Sequence, residues 1–133
     1  MLDSGLPETI TPEEALAKYI LSSSHFSRVH GRVKPAAFIP PPGKGSSVFR
    51  ISQLLMEHVK AIGRSVAAAR QPPRTLYGHA EVAAEAVFRT GLKVSAAEPP
   101  PWHADILGWP EEKDIQLELA QSLAEVAALA LYE

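Results

Sequence analysis

The chain has 133 residues, no cysteine, 46% apolar residues and a formal charge of −2 at pH 7. That length predicts a single domain, and that apolar content excludes a disordered chain. Without cysteine there is no disulfide scaffold, zinc ribbon or thiol nucleophile. No apolar run approaches the roughly 20 residues that span a bilayer, and the first ten residues carry no basic residue, unlike a signal peptide. A soluble cytoplasmic protein without a membrane partner is the expectation.

In chain order, residues 1–10 read as a loose N-terminal arm and residues 11–133 as one domain. Thr11-Pro12-Glu13-Glu14 predicts a helix start, with Thr11 as cap, Pro12 at the first helical position and Glu14 completing a capping box. Leu16, Tyr19 and Ile20 would form the apolar face of a short helix ending near Ser22. Residues 23–34 lack an apolar period and read as a polar loop. Pro35–Pro40 and Ser46–Ile51 are β-prone, joined by the turn residues Pro41–Gly45. Leu55, Val59, Ile62 and Val66 recur at helical spacing from Ser52 to about Ala69, where Gln71-Pro72-Pro73 stops the helix.

Thr75–Val82 reads as a strand leading into a helical turn through Phe88. Gly91 follows as C-cap, and Leu92–Ala97 as a further strand. Glu98–Trp102 reads as a polyproline II connector, and His103–Gly108 as a strand or an ordered loop. Ile115, Leu119, Leu123, Val126 and Ala130 form one stripe, predicting a long amphipathic C-terminal helix from about Glu112 to Leu131. The order predicts an α+β domain: a small, mainly antiparallel sheet with two or three helices on one side.

The near-neutral total conceals an uneven distribution. Between Ser24 and Arg74 nine basic residues face one acid, a net +8, while the rest carries four basic residues and fourteen acids, a net −10. Within that block Arg28, Arg32 and Lys34 fall in a loop, where convergent cations can hold phosphates. With Arg50 they are the candidate ligand-binding residues. The alternative is that these charges pair with the acidic ends of the same chain or of another copy. Pro41–Ser47 is not a phosphate-binding P-loop, because Phe38 occupies the first glycine position and Gly45, not Ser or Thr, follows Lys44.

The histidines offer chemistry of a different kind. His25 and His30, without a neighbouring acid, do not make a metal set, and His58 beside Glu57 reads as solvated. His79 and His103 are the candidate catalytic bases. If 103–107 is a strand, His103 and Asp105 share a face, so they can act as a ligand with its orienting carboxylate, or as a base with its orienter. The competing reading is a histidine bonded to backbone at a loop edge beside Trp102. Trp102 and Trp109, each flanked by proline, form a stiff apolar ledge, either a pocket wall or a dock for the last helix. Nothing calls for a metal or a cofactor.

The segments Arg32-Val-Lys-Pro-Ala-Ala-Phe-Ile-Pro-Pro41, Ser47-Val-Phe-Arg50, Gly91-Leu-x-Val94 and Glu98-Pro through His103-Ala-x-Ile106 span most of residues 25–110. As a set, they resemble a loose group of small bacterial proteins with an Ala-Phe-x-Pro segment, a Ser-Val strand and a late His-Ala-x-Ile segment. The matching positions are Arg32, Phe38, Ser47, Arg50 and His103. The resemblance implies a fold and no reaction. The functional expectation is a protein that binds an anionic ligand, nucleic acid or a nucleotide, through its basic central segment. The alternative is a non-catalytic protein that contacts partners or copies of itself.

Overall fold

The computed structural model describes residues 1–132. Six antiparallel strands form the main sheet: β1 (Ala15–Ile20), β4 (Ser46–Arg50), β5 (Gly78–Ala83), β6 (Lys93–Ala96), β7 (His103–Leu107) and β8 (Ala128–Leu131). Their spatial order is β6-β7-β4-β1-β5-β8. Two short strands, β2 (Phe26–Ser27) and β3 (Arg32–Val33), pair separately. Helices α1 (Met56–Ala68), α2 (Ala84–Arg89) and α3 (Lys113–Val126) complete an α+β fold. Among the described residues no helix is long and apolar enough to cross a membrane.

The segment that promised a helix at residues 11–22 is the strand β1. One turn of the expected start does form, with the Thr11 N–H donating to Glu14 Oε2 at 3.0 Å. The chain then extends because Leu16, Ala17, Tyr19 and Ile20 are all buried. A central strand is covered on both faces, so its apolar residues run together and imitate a helix. Leu16 and Ile20 join the larger core, whereas Ala17 and Tyr19 join a smaller one under α1.

The helices therefore lie on both faces of the sheet, not on one. Val59 of α1 packs with Ala17, Tyr19 and Phe49, while Ala120, Leu123 and Ala124 of α3 pack on the opposite face with Leu16, Ile20 and Val48. The Tyr19 hydroxyl donates to the Val59 carbonyl across the first interface. The C-terminal helix also stops earlier than its stripe suggests. Residues 128–131 turn into β8 and pair with β5, Gly78 opposite Leu131. Gly78 is required there, because a Cβ would stand 2.1 Å from the Ala130 carbonyl oxygen.

Smaller departures follow the same logic. Residues 23–34 fold into a turn and the β2–β3 pair, and Pro35–Ala37 is a single 3₁₀ turn where a strand was expected. Residues 98–102 form a turn, not polyproline II: the His103 N–H donates to the Pro100 carbonyl at 3.2 Å, and Trp102 has φ 69°. Residues 1–10 hold no helix or strand, yet they are tied down. The Ser4 N–H donates to Glu98 Oε1, Arg50 Nη1 donates to the Pro7 carbonyl, and Ile10 is buried.

Candidate functional site

The sheet is joined at its centre by a very short ladder. β1 pairs with β5 along all six residues, but with β4 only at Leu16↔Arg50 and Ala17↔Phe49. Beyond Ala17 the two central strands part. A cavity of 610 Å³ opens there, lined by Lys18, Tyr19 and Leu21 from one side and Lys44, Gly45 and Ser47 from the other. The Lys18 ammonium reaches across and donates to the Ser47 carbonyl at 3.0 Å, meeting an acceptor that the missing ladder leaves free.

Cations dominate this cavity. Lys18, Lys44, Arg70 and Arg74 line it together with His25 and His103, and among the described residues Asp105 is the one carboxylate on its wall. The arginines come from the segment that follows α1, and Ala36, Ala37 and Ile39 add an apolar part to the lining. Burial, with Arg70 adding repulsion against the opposing pull of Asp105, lowers the Lys18 ammonium to about 8. Burial also lowers His25, helped by Lys18 and Arg74. Burial is the larger cause of both shifts, and the neighbouring cations add to it.

At the edge of the cavity the side chains of Ser47, His103 and Asp105 meet. Ser47 and Asp105 are partners in the β4–β7 ladder, and His103 lies diagonally across from Ser47, opposite Phe49. The Ser47 hydroxyl lies 2.6 Å from His103 Nε2, and His103 Nδ1 lies 2.9 Å from the Ala97 carbonyl. A carbonyl only accepts, so Nδ1 carries the proton. Nε2 of the neutral ring is then the acceptor for the Ser47 O–H. Asp105 Oδ1 stands 3.5 Å from the same Nε2. The Phe49 ring packs on the imidazole, centroids 5.2 Å apart.

Ser47, Arg70 and His103 also line a second, apolar groove of 560 Å³. Ile62 and Val66 of α1 form one wall of it, and Pro100, Pro101 and Trp102 the other. The Trp102 N–H is held by Glu98 Oε2 at 2.9 Å, and His58 packs edge-on against the indole at 4.7 Å. Of the two tryptophans read from the sequence as one ledge, Trp102 is a groove wall, whereas Trp109 packs against the larger core to which α3 contributes.

Of the residues singled out in the sequence, the structure brings His103 and Asp105 to the cavity. His79 is buried outside it, its Nδ1 hydrogen-bonded to the Tyr132 hydroxyl. Arg28, Arg32 and Lys34 are exposed in and around β2–β3, Arg28 over the Phe26 ring, and none of them lines the cavity. Arg50 is 1% exposed and bound on two sides by Glu14, Nε–Oε1 2.7 Å and Nη2–Oε2 3.0 Å. Its charge is used inside the fold. Lys18 lay hidden in the expected helix, and Ser47 stood out only as a matching position of the resemblance.

Among the described residues no group of three or more His, Asp or Glu is placed to hold a metal ion. Comparison with protein-family models, curated proteins and solved structures finds no match to this chain.

Proposed function

We propose that this protein binds a phosphate-bearing small molecule, a nucleotide by chemical class, in the cleft where β1 and β4 part. The observation that supports it is the set of Lys18, Lys44, Arg70 and Arg74 around one cavity with, among the described residues, a single carboxylate on its wall. Unpaired cations converging on a concave surface favour a multiply charged anion, and arginine adds bidentate contact to phosphate oxygens. The apolar groove that shares Arg70 with the cavity offers Trp102, Pro101 and Ile62 to a flat, weakly polar group such as a nucleobase. On this reading the binding residues of the basic central segment are Arg70, Arg74 and Lys44, in place of Arg28, Arg32, Lys34 and Arg50. Arg28, Arg32 and Lys34 extend the footprint only for a longer, polynucleotide ligand.

Calorimetric titration at low salt with inorganic phosphate, a nucleoside monophosphate and a short oligonucleotide tests this. The monophosphate binds more tightly than phosphate alone, the affinity falls with salt, and the Arg70→Ala/Arg74→Ala variant loses it. Absence of binding to all three at low salt overturns the proposal. A preference for the oligonucleotide that vanishes in Arg32→Ala moves the site to the β2–β3 pair.

A second reading, contact with another copy of the chain, is favoured by the exposed apolar residues Ile115 and Val126, which share one face of α3. A monomer by light scattering at both low and high salt removes it.

A further inference from the structure

We infer that Ser47 is a nucleophile, with His103 as its general base, and that the cleft transfers a phosphoryl group from a phosphomonoester to water through a phosphoserine at position 47. The inference rests on the anion-binding reading of the cavity and adds a reaction to it.

Three features carry it. The Ser47 hydroxyl is within hydrogen-bond reach of His103 Nε2, at 2.6 Å. The other ring nitrogen is committed to the Ala97 carbonyl, which fixes the tautomer that leaves Nε2 free to take a proton. An activated nucleophile needs this arrangement of hydroxyl, base and orienting group. Asp105, 3.5 Å from Nε2, is placed to stabilise the imidazolium that forms when the proton arrives.

The pair also sits where the two cavities meet, since Ser47 and His103 line both. A group bonded to Ser47 Oγ therefore has cations on one side and an apolar wall on the other. The charge that grows on the oxygens of a transferring phosphoryl group is stabilised by preplaced Lys and Arg side chains. A carboxylic ester carries no such charge demand on four cations. Lys18, anchored on the Ser47 carbonyl, and Arg70, common to both cavities, are the nearest such groups by placement.

The reaction balances without a further reactant except water. Ser47 Oγ attacks phosphorus and its proton moves to His103 Nε2. The bond from phosphorus to the ester oxygen breaks, and the departing alkoxide takes the proton from His103. Water then attacks the phosphoserine with His103 as base, the Ser47 Oγ–phosphorus bond breaks, and Ser47 recovers the proton. The products are an alcohol and inorganic phosphate.

Para-nitrophenyl phosphate is the probe, because its ring suits the groove and its phosphoryl group the cavity. The full chain is expected to release nitrophenolate and, after rapid acid quenching, to carry one phosphoryl group on Ser47 by peptide mass spectrometry. Ser47→Ala and His103→Gln are expected to keep phosphate binding by calorimetry while losing turnover about 10³-fold or more. Phosphate binding without turnover by the parent chain overturns this inference and leaves the binding reading intact. Loss of both overturns both. Turnover that survives in Ser47→Ala, or turnover of para-nitrophenyl acetate in place of the phosphate, also overturns it.

Discussion

Replacing Arg50 by alanine separates a structural from a ligand-binding role for the most buried charge in the molecule. The guanidinium is 1% exposed, donates twice to Glu14 and once to the Pro7 carbonyl, and closes the end of the β1–β4 ladder. Removing it strands a largely buried carboxylate, for which the cost is about 3–5 kcal/mol. For a chain of 133 residues that corresponds to a fall in Tm of about 10–20 °C. Urea and thermal denaturation followed by circular dichroism measure it. The double variant Arg50→Met/Glu14→Leu is expected to recover much of the loss, because it removes both charges and leaves none unpaired. A Tm within about 2 °C of the parent chain, a shift too small for a stranded buried charge, would refute the structural assignment. Weaker phosphate binding in a variant of unchanged stability would return Arg50 to the ligand site.

Three further outcomes follow from the geometry. Lys18, lowered to about 8 by burial and Arg70, loses its charge as pH rises through that value, so sulfate affinity measured from pH 7 to 10 falls about tenfold, the equivalent of one charge-assisted hydrogen bond, and Lys18→Met flattens the profile. Because its ordinary value is 10.5, the unfolded chain holds this proton up to a higher pH, and this group's contribution to stability rises between pH 8 and 10.5. Gly78→Ala drives a Cβ against the Ala130 carbonyl, costing about 1–3 kcal/mol and removing amide-exchange protection selectively from residues 128–131. His79 is held below its ordinary 6.5 by burial, so the unfolded chain binds its proton first and stability is lost as pH falls through 6.5; His79→Phe, followed by urea denaturation at pH 5 and 7.5, reduces that loss.

The sequence signals that survived folding were local ones. Alternation at His103 and Asp105 placed both on one face, because the period of a strand is a property of its own backbone. The helix spacing of Val59 and Ile62 and the stop at Gln71-Pro72-Pro73 likewise needed no partner. Lys18 was not legible, because β1 is buried on both faces and its apolar run hides a strand inside a helical pattern. Residues 128–131 continue the alanine- and leucine-rich composition of α3, and only the open edge at Gly78 of β5 draws them into the sheet. Ser47 depends on pairing between strands more than fifty residues apart, which no local pattern encodes. The fate of Arg50 likewise turns on Glu14, a residue of the acidic N-terminal stretch.

The charge partition along the chain takes a different meaning once it is folded. Part of the basic block is neutralised internally, as at Arg50, and Glu57 is its only acid. Arg28, Arg32 and Lys34 of the block stay outside the cleft, where Lys44, from the turn before β4, and Arg70 and Arg74, from the segment after α1, join Lys18 of β1. The parting of β1 from β4 brings them together, and it does so where Ser47 and His103 look into the gap. A continuous ladder would bury the Ser47 carbonyl in a strand pair and leave Lys18 nothing to bind. The short ladder therefore does two things at once: it frees backbone to anchor a cation, and it opens the space in which that cation, Ser47 and His103 come together. Cations that repel one another at close range are costly to hold in an unfilled cleft, and an anion between them relieves that cost. Burial is the main cause that lowers Lys18 and the Arg70 repulsion adds to it, so an anion bound as proposed would relieve the smaller, repulsive part of that cost.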